Sequence, residues 1–204
     1  MIKVFAVSTR VTPSEVRTEL LRKSIHMMIA VVPTIARYNL SLTLMLLASG
    51  VVFYTYAEMM RVRGFAVGFI GRITEAASRK RDGNGFVFGP VTLGLGAMLA
   101  LMLYPEPAAA IAIYALAFGD GFSSLFGKLF GRVQIPFTGG KTFAGSSACL
   151  VSVFVISYAI SGSLPTAAVI ALVATFLEVL PSGDLDNLIL PVGTGFAAIA
   201  AMGL

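Results

Sequence analysis

Seven apolar stretches, each near the length that crosses a lipid bilayer, constrain the fold of this chain more than any other feature. A spanning helix needs roughly 20 mostly apolar residues. The stretches lie at residues 20–36, 40–60, 86–104, 108–126, 143–161, 164–180 and 188–204. Only 12% of the residues are charged, against about 25% in a soluble domain, and the mean hydropathy is +0.88. The sequence therefore predicts an all-α integral membrane protein with about seven transmembrane helices.

The apolar stretches follow one another closely, which favours one polytopic unit over several domains. Residues 1–13 are predicted to be a short N-terminal tail, and residues 14–204 a single multi-pass membrane domain that carries the catalytic site. Pro13-Ser14-Glu15 is a typical helix start. In a prokaryote such a protein would lie in the cytoplasmic membrane.

The distribution of basic residues predicts the orientation. With a cytoplasmic N-terminus and alternating spans, every Lys and Arg except Arg37 lies on the inner side, as the positive-inside rule expects. The net charge of +5 is thus explained by the bilayer, and no nucleic-acid partner is predicted. One set of basic residues is read as topology signals or contacts to lipid headgroups: Arg61, Arg63, Arg72, Arg79, Lys80 and Arg81.

Acidic residues from separate parts of the chain are predicted to lie at one depth near the cytoplasmic surface. They are Glu58, Asp120, Glu178, Asp184 and Asp186. Ionisable residues near lipid are costly and often functional, although charges at helix ends, such as Glu58 and Glu178, can also extend to the interface. Asp120 lies between Gly119 and Gly121, where we expect the helix to break, as is tolerated around a cavity.

A glycine-rich stretch at residues 118–147, FGDGFSSLFGKLFGRVQIPFTGGKTFAGSS, combines an acid, three cations and several hydroxyls. Carboxylate oxygens suit a divalent metal, whereas cations and backbone N–H groups near glycines suit phosphates. The stretch therefore predicts a site for a nucleotide phosphate with a metal ion. The substring GGKT is not a P-loop, because Ile135 occupies the position of the first glycine in that motif.

The first apolar stretch begins with a polar face. Arg22, Lys23 and His26, the single histidine, are neighbours at helical spacing. One interpretation is an anion-binding face on which His26 forms hydrogen bonds or transfers protons. The other is a set of ordinary interfacial anchors.

Three blocks of sequence resemble one family. They are RKSIHM at residues 22–27, GDGFSSLFGKLFGR through KTFAGS at residues 119–146, and LEVLPSGDLDNLILP at residues 177–191. In order and membrane position they resemble the CTP-dependent polyprenol kinases, the group that includes dolichol kinase, phytol kinase and the CTP-type diacylglycerol kinase. This group lies within the phosphatidate cytidylyltransferase superfamily.

The resemblance implies transfer of the γ-phosphate of CTP to the hydroxyl of a membrane lipid alcohol at the cytoplasmic face, with Mg²⁺ as the metal. It implies a metal set of Asp120, Asp186 and Glu178. It implies a nucleotide-binding set of Gly121, Lys128, Gly131, Arg132, Lys141, Thr142, Gly145 and Ser146. Asp184, Asn187 and Glu58 would complete the polar site. Arg22 and Lys23 would neutralise charge, and Asp120 or His26 would accept the proton of the alcohol.

Two alternatives remain open at this stage. A cytidylyltransferase would make a CDP-activated lipid, but two elements typical of that branch are missing. Thr138-Gly139-Gly140 precedes Lys141, with Ala144 where an acid is usual, and no His-Gly-Gly…Asp-Arg-x-Asp element is present. An ion-coupled transporter is the second alternative, although its charges would be spread through the membrane depth. The sequence does not determine the alcohol, the nucleotide base, the number of metal ions or whether the chain forms a homo-oligomer.

Overall fold

The computed structural model describes residues 13–66, 68–77 and 85–204. Its α-helices are α1 Pro13–Met27, α2 Val32–Tyr38, α3 Leu40–Val62, α4 Gly68–Ala77, α5 Gly89–Leu103, α6 Ala108–Tyr114, α7 Gly121–Phe130, α8 Phe143–Ser161, α9 Leu164–Val179 and α10 Asp186–Met202. A π-helical turn at Ala115–Asp120 joins α6 to α7 without interruption. Most of the predicted tail, and the predicted topology signals Arg79, Lys80 and Arg81, lie outside the described residues.

The predicted all-α membrane fold is confirmed. Among the described residues, four helices are long and apolar enough to cross a membrane: Leu40–Val62, Ala108–Phe130, Phe143–Ser161 and Gly183–Met202. The apolar helices α5 and α9 also coincide with predicted spans, but they have only 15 and 16 residues. At about 1.5 Å per residue they are roughly 23 Å long, shorter than a hydrocarbon core of about 30 Å.

The first predicted span, residues 20–36, is not one continuous helix. A 3₁₀ turn at Met28–Val31 separates α1 from α2. Pro33 is the physical reason, because it has no N–H to donate to the carbonyl of Ile29 and its ring crowds that carbonyl. α1 is thereby set apart as a separate helix, which packs against α7.

The expectation of a broken helix at Asp120 was wrong. The helical segment Ala108–Phe130 continues through this point and widens into the π turn. Gly119 and Gly121 serve close packing instead. A Cβ atom on Gly119 would lie 2.9 Å from Val153 of α8, and one on Gly121 would lie 2.6 Å from Met27 of α1.

The segment Ala108–Phe130 lies at the centre of the bundle. Of its most apolar 18 residues 67% are buried, whereas the same share in α3 is 11%. α6 is rich in alanine, and its residues from Ala108 to Ile113 are buried. Small side chains let α8, α9 and α10 approach closely, so the π turn and Asp120 are enclosed by protein.

A tight loop connects α7 to α8. Ile135 donates its N–H to the carbonyl of Lys141 at 2.8 Å, and Phe143 donates to the carbonyl of Val133 at 3.2 Å. Gly139 and Gly140 have φ angles of +69° and +103°, which favour glycine. The loop thus turns back and brings Lys141 to the start of α8.

Candidate active site

Asp120 lies at the centre of the candidate site. It forms an ion pair with Lys23 of α1, and both side chains are almost completely buried, at 3% and 1% exposure. His26 Nε2 lies 3.2 Å from the same carboxylate oxygen, Oδ2. Both contacts use Oδ2, so neither of them occupies Oδ1. The polar face of α1 therefore packs against Asp120 inside the protein, and its role in binding anions stays a prediction.

The position of His26 is determined by the π turn. Its Nε2 atom lies 2.9 Å from the carbonyl oxygen of Leu116, and a carbonyl can only accept a hydrogen bond. Nε2 therefore carries a proton, which it donates to Leu116 and directs towards Asp120. A π turn disturbs the regular α-helical hydrogen bonding, and such turns are frequent at functional sites. This geometry makes His26 a hydrogen-bond donor through Nε2.

A second polar cluster surrounds Glu178 of α9, which is 1% exposed. Its Oε1 atom accepts a hydrogen bond from Lys141 at 2.6 Å and another from the hydroxyl of Ser123. Its Oε2 atom accepts one from Ser146 at 3.1 Å. Glu178 therefore anchors Lys141 and joins α7, α8 and α9.

Lys141 connects the two clusters. Burial opposes its charge, but the carboxylates of Glu178 and Asp120 outweigh that effect and raise the pKa of the ammonium group above its ordinary value. Asp186, at the start of α10, also interacts electrostatically with Lys141, Asp120 and Lys23. The structure thus pairs two predicted cations with two predicted acids, Lys23 with Asp120 and Lys141 with Glu178.

Arg22 and Lys128, two other predicted site cations, pair with a carboxylate that the sequence analysis missed. Glu19 is 2% exposed; it forms an ion pair with Arg22 and lies 3.0 Å from Lys128. Lys128 also donates to the carbonyl of Glu15 at 3.4 Å. The sequence did contain a signal for Glu19, because residues 19, 22, 23 and 26 share one face of α1 at helical spacing.

Glu58 belongs to a separate polar network. It accepts hydrogen bonds from Arg61 at 2.7 and 2.8 Å and from the N–H of Val87 at 2.8 Å. Arg61 also donates to the carbonyl of Gly85 at 2.8 Å. These contacts fasten the segment before α5 to the end of α3, and they give Glu58 a structural role.

Asn187 holds the start of α10 against α5. Its amide donates to the hydroxyl of Thr92 at 2.9 Å and to the carbonyl of Gly89 at 3.2 Å. The helices touch at Gly96, where a Cβ atom would lie 1.9 Å from the carbonyl oxygen of Asn187. This contact orients the neighbouring Asp186. Asp184 lies in the 3₁₀ turn Gly183–Leu185 just before α10.

Thr142 and several predicted nucleotide-binding glycines have packing roles. Thr142 caps α8 by accepting a hydrogen bond from the N–H of Gly145 at 3.2 Å. A Cβ on Gly145 would lie 2.6 Å from the carbonyl of Ser123, and one on Gly131 would lie 2.6 Å from the hydroxyl of Thr142. These glycines let α7 and α8 approach each other. Arg132 is exposed beside this contact.

The acids of the site do not form a closed metal cage. Within the part of the chain that the structure describes, no three His, Cys, Asp or Glu side chains are close enough together to hold a metal ion. Mg²⁺ is usually bound by one or two carboxylates together with waters and substrate phosphates. The metal roles of Asp120 and Asp186 stay predictions. The Glu178 carboxylate is occupied by Lys141 and two serines, so its metal role stays a prediction.

The fold and the site define a polytopic membrane protein with a buried cluster of carboxylates, lysines and a histidine on its central helices. Comparison with known proteins then gives a consistent set of relatives. "Probable phytol kinase 1, chloroplastic" of Glycine max is 27% identical over 151 residues, which cover 65% of this chain and 50% of that protein. "Phytol kinase 1, chloroplastic" of Arabidopsis thaliana is 24% identical over 160 residues, 70% of this chain and 53% of that protein.

A further relative, "Probable phytol kinase, chloroplastic" of Triticum aestivum, is 22% identical over 168 residues, 72% of this chain and 56% of that protein. The chain thus spans about half the length of the curated relatives it matches. No family model matches the chain, and no solved structure gives a significant match. The chain is similar to plant phytol kinases, and the resemblance to the polyprenol kinase group predicted from the sequence is confirmed.

Proposed function

We propose that this chain is a CTP-dependent kinase that phosphorylates the hydroxyl of a membrane lipid alcohol at the cytoplasmic membrane face. The acceptor would be a polyprenol, a phytol-like isoprenoid or diacylglycerol. The observation that carries the proposal is the buried pairing of Asp120 with Lys23 and His26, three residues before Ser123, whose hydroxyl shares the Glu178 carboxylate with Lys141. The similarity to proteins named phytol kinases supports the same reaction class.

Phosphoryl transfer demands mainly positioning and stabilisation of charge. The γ-phosphorus would form a bond to the alcohol oxygen while its bond to the β-phosphate oxygen breaks and CDP leaves. Lys141 is held by Glu178 at the N-terminus of α8, where its charge and the helix dipole both favour phosphate oxygens. Lys23 would stabilise charge from the opposite side of Asp120.

Asp120 is our choice for the group that accepts the alcohol proton. Its Oδ1 atom is not used by Lys23 or His26, whereas Nε2 of His26 already donates to Leu116. Asp186 would hold Mg²⁺ together with waters and substrate phosphates, and Mg²⁺ would neutralise the charge of the phosphates when it is bound. Arg132, beside the turn that leads to α8, would contact the outer phosphates.

The experiment uses purified protein in detergent with Mg²⁺, CTP or ATP, and a panel of polyprenol, phytol, geranylgeraniol, diacylglycerol and phosphatidate. CTP is supplied with the label in either the γ-phosphate or the cytosine. γ-Label in an alcohol, with release of CDP, is the expected result. Cytosine label in the lipid, with release of pyrophosphate, would identify a cytidylyltransferase. Transfer from no nucleotide to any lipid would overturn the proposal.

A further inference from the structure

An apolar groove of about 690 Å³ lies between the central helical segment and α8. One wall is formed by Phe118, Phe122 and Phe126, which repeat at every fourth residue with ring centroids 6.0 and 6.2 Å apart. The facing wall is formed by smaller side chains of α8, among them Ala148 and Val151. Large rings facing small side chains leave a channel along the helices.

The groove opens sideways, away from the core of the bundle. Phe126, Val151 and Val155 are 43%, 61% and 57% exposed, although they lie on helices long enough to span a membrane. The opening therefore faces the hydrocarbon of the bilayer. Ser152 donates its hydroxyl to the carbonyl of Cys149 at 3.0 Å, which reduces the polarity of the wall.

Both walls of the groove lead to the charged site. Ala144, at the end of the groove nearest the charged site, follows Lys141 by three residues. On the other wall, Phe122 precedes Ser123, whose hydroxyl donates to Glu178. A molecule with a polar end at Lys141 and Glu178 could extend its apolar part from Ala144 to Ile156, about 18 Å at the rise of an α-helix.

We propose that this groove binds the hydrocarbon chain of the acceptor, and that the acceptor is a single-chain isoprenoid alcohol rather than diacylglycerol. The inference rests on the proposed kinase function. The aromatic wall of the groove is a single row of three rings, Phe118, Phe122 and Phe126. Such a wall suits one hydrocarbon chain, whereas the second chain of diacylglycerol would lie outside the groove. Apolar walls supply affinity through buried area, while the charged cluster contacts the hydroxyl end.

The first test blocks the groove. Ala148→Trp places a large ring in the channel, and Ala168→Trp places the same ring on α9 at a half-buried position outside it. We expect Ala148→Trp to raise the KM for geranylgeraniol about tenfold, the effect of losing roughly 1.4 kcal/mol of binding, with an unchanged KM for the nucleotide. Equal KM values for geranylgeraniol in the two variants would overturn the proposal.

The second test does not depend on transfer activity. The chain contains no tryptophan, so Phe122→Trp reports on the groove alone, and Phe176→Trp reports on an exposed position of α9. Each variant is placed in vesicles of dibrominated phosphatidylcholine, whose chains quench tryptophan. Geranylgeraniol should displace the brominated chain and restore the fluorescence of Phe122→Trp at concentrations that leave Phe176→Trp quenched.

The outcomes separate the two proposals. If fluorescence recovers in Phe122→Trp alone and no phosphate is transferred, the result would support binding in the groove and contradict the kinase function. Active transfer with equal recovery, or no recovery, at both positions would overturn the groove, since ordinary bilayer chains would then occupy it. Recovery by a diacylglycerol as strong as that by geranylgeraniol would overturn the preference for a single chain.

Discussion

Lys23 of α1 and Asp120 of the central π turn form a buried ion pair, although 97 residues separate them along the chain. Burying such a pair costs free energy, because two charges are removed from water. Replacing one partner by a neutral residue leaves the other as an uncompensated buried charge. The pair joins two of the three sequence blocks that resemble the polyprenol kinases, residues 22–27 and residues 119–146.

Asp120→Asn is expected to abolish phosphate transfer and to lower the free energy of unfolding by about 3 kcal/mol, because Lys23 keeps a buried, unpaired charge. The double variant Lys23→Met with Asp120→Asn should regain stability and remain inactive. Transfer assays and thermal unfolding in detergent measure the two effects. An Asp120→Asn variant with normal kcat would exclude this residue from the reaction.

Lys141→Ala is expected to raise the KM for the nucleotide about tenfold or more, because a charge-assisted hydrogen bond contributes roughly 1.5–3 kcal/mol. The acceptor KM should change little. Arg63→Ala, at an exposed position, provides a control for the general loss of positive charge. If the control raises the nucleotide KM as much as Lys141→Ala, the effect is electrostatic attraction and not a specific contact.

Asp186→Asn is expected to raise the Mg²⁺ concentration needed for half-maximal activity, because Asp186 is the carboxylate proposed to hold a nucleotide-bound metal. Asp184→Asn, two residues earlier and ahead of α10, provides the comparison. Titration of Mg²⁺ at saturating nucleotide measures the difference. Identical Mg²⁺ curves for Asp186→Asn and the unmodified chain would contradict the metal role.

Gly96→Ala is expected to destabilise the protein by roughly 1–3 kcal/mol, as overpacking does, because the added Cβ would lie 1.9 Å from the carbonyl of Asn187. Displacing the start of α10 should also reduce kcat. Gly50→Ala on α3 has nothing within 4 Å of the new Cβ, so the better helix propensity of alanine should leave it neutral or slightly stabilised. Equal melting temperatures for the two variants would contradict the close α5–α10 contact.

Glu58→Ala is expected to cost about 2–3 kcal/mol, because it removes the hydrogen-bond acceptor for Arg61 and for the N–H of Val87. Glu106→Ala offers a matched control, since its partner Arg37 is 3.5 Å away and both side chains are largely exposed. Exposed pairs contribute roughly 0–1 kcal/mol. Thermal unfolding of both variants checks the difference, and a cost no larger for Glu58 than for Glu106 would show that the network does not hold the segment before α5.

The helical membrane fold could be predicted because its determinants are local. Apolar stretches of sufficient length can satisfy their backbone hydrogen bonds in a bilayer only as helices or closed barrels. The interruption before Pro33 was missed, although proline acts on its own turn of helix and therefore gave a local signal. The site acids and cations could be recognised as costly residues near lipid, but the sequence alone did not show which of them pair.

The sequence by itself determined an all-α membrane protein and predicted the residue types of a phosphate-binding site, since hydropathy and charge are properties of single segments. The tertiary structure decided the partners. It paired Lys23 and His26 with Asp120, assigned Lys141 to Glu178, and directed Lys128 and Arg22 to Glu19. It also showed that Gly119 and Gly121 pack helices together instead of ending one. These outcomes depend on the register and rotation of helices distant in the chain, which no local pattern specifies.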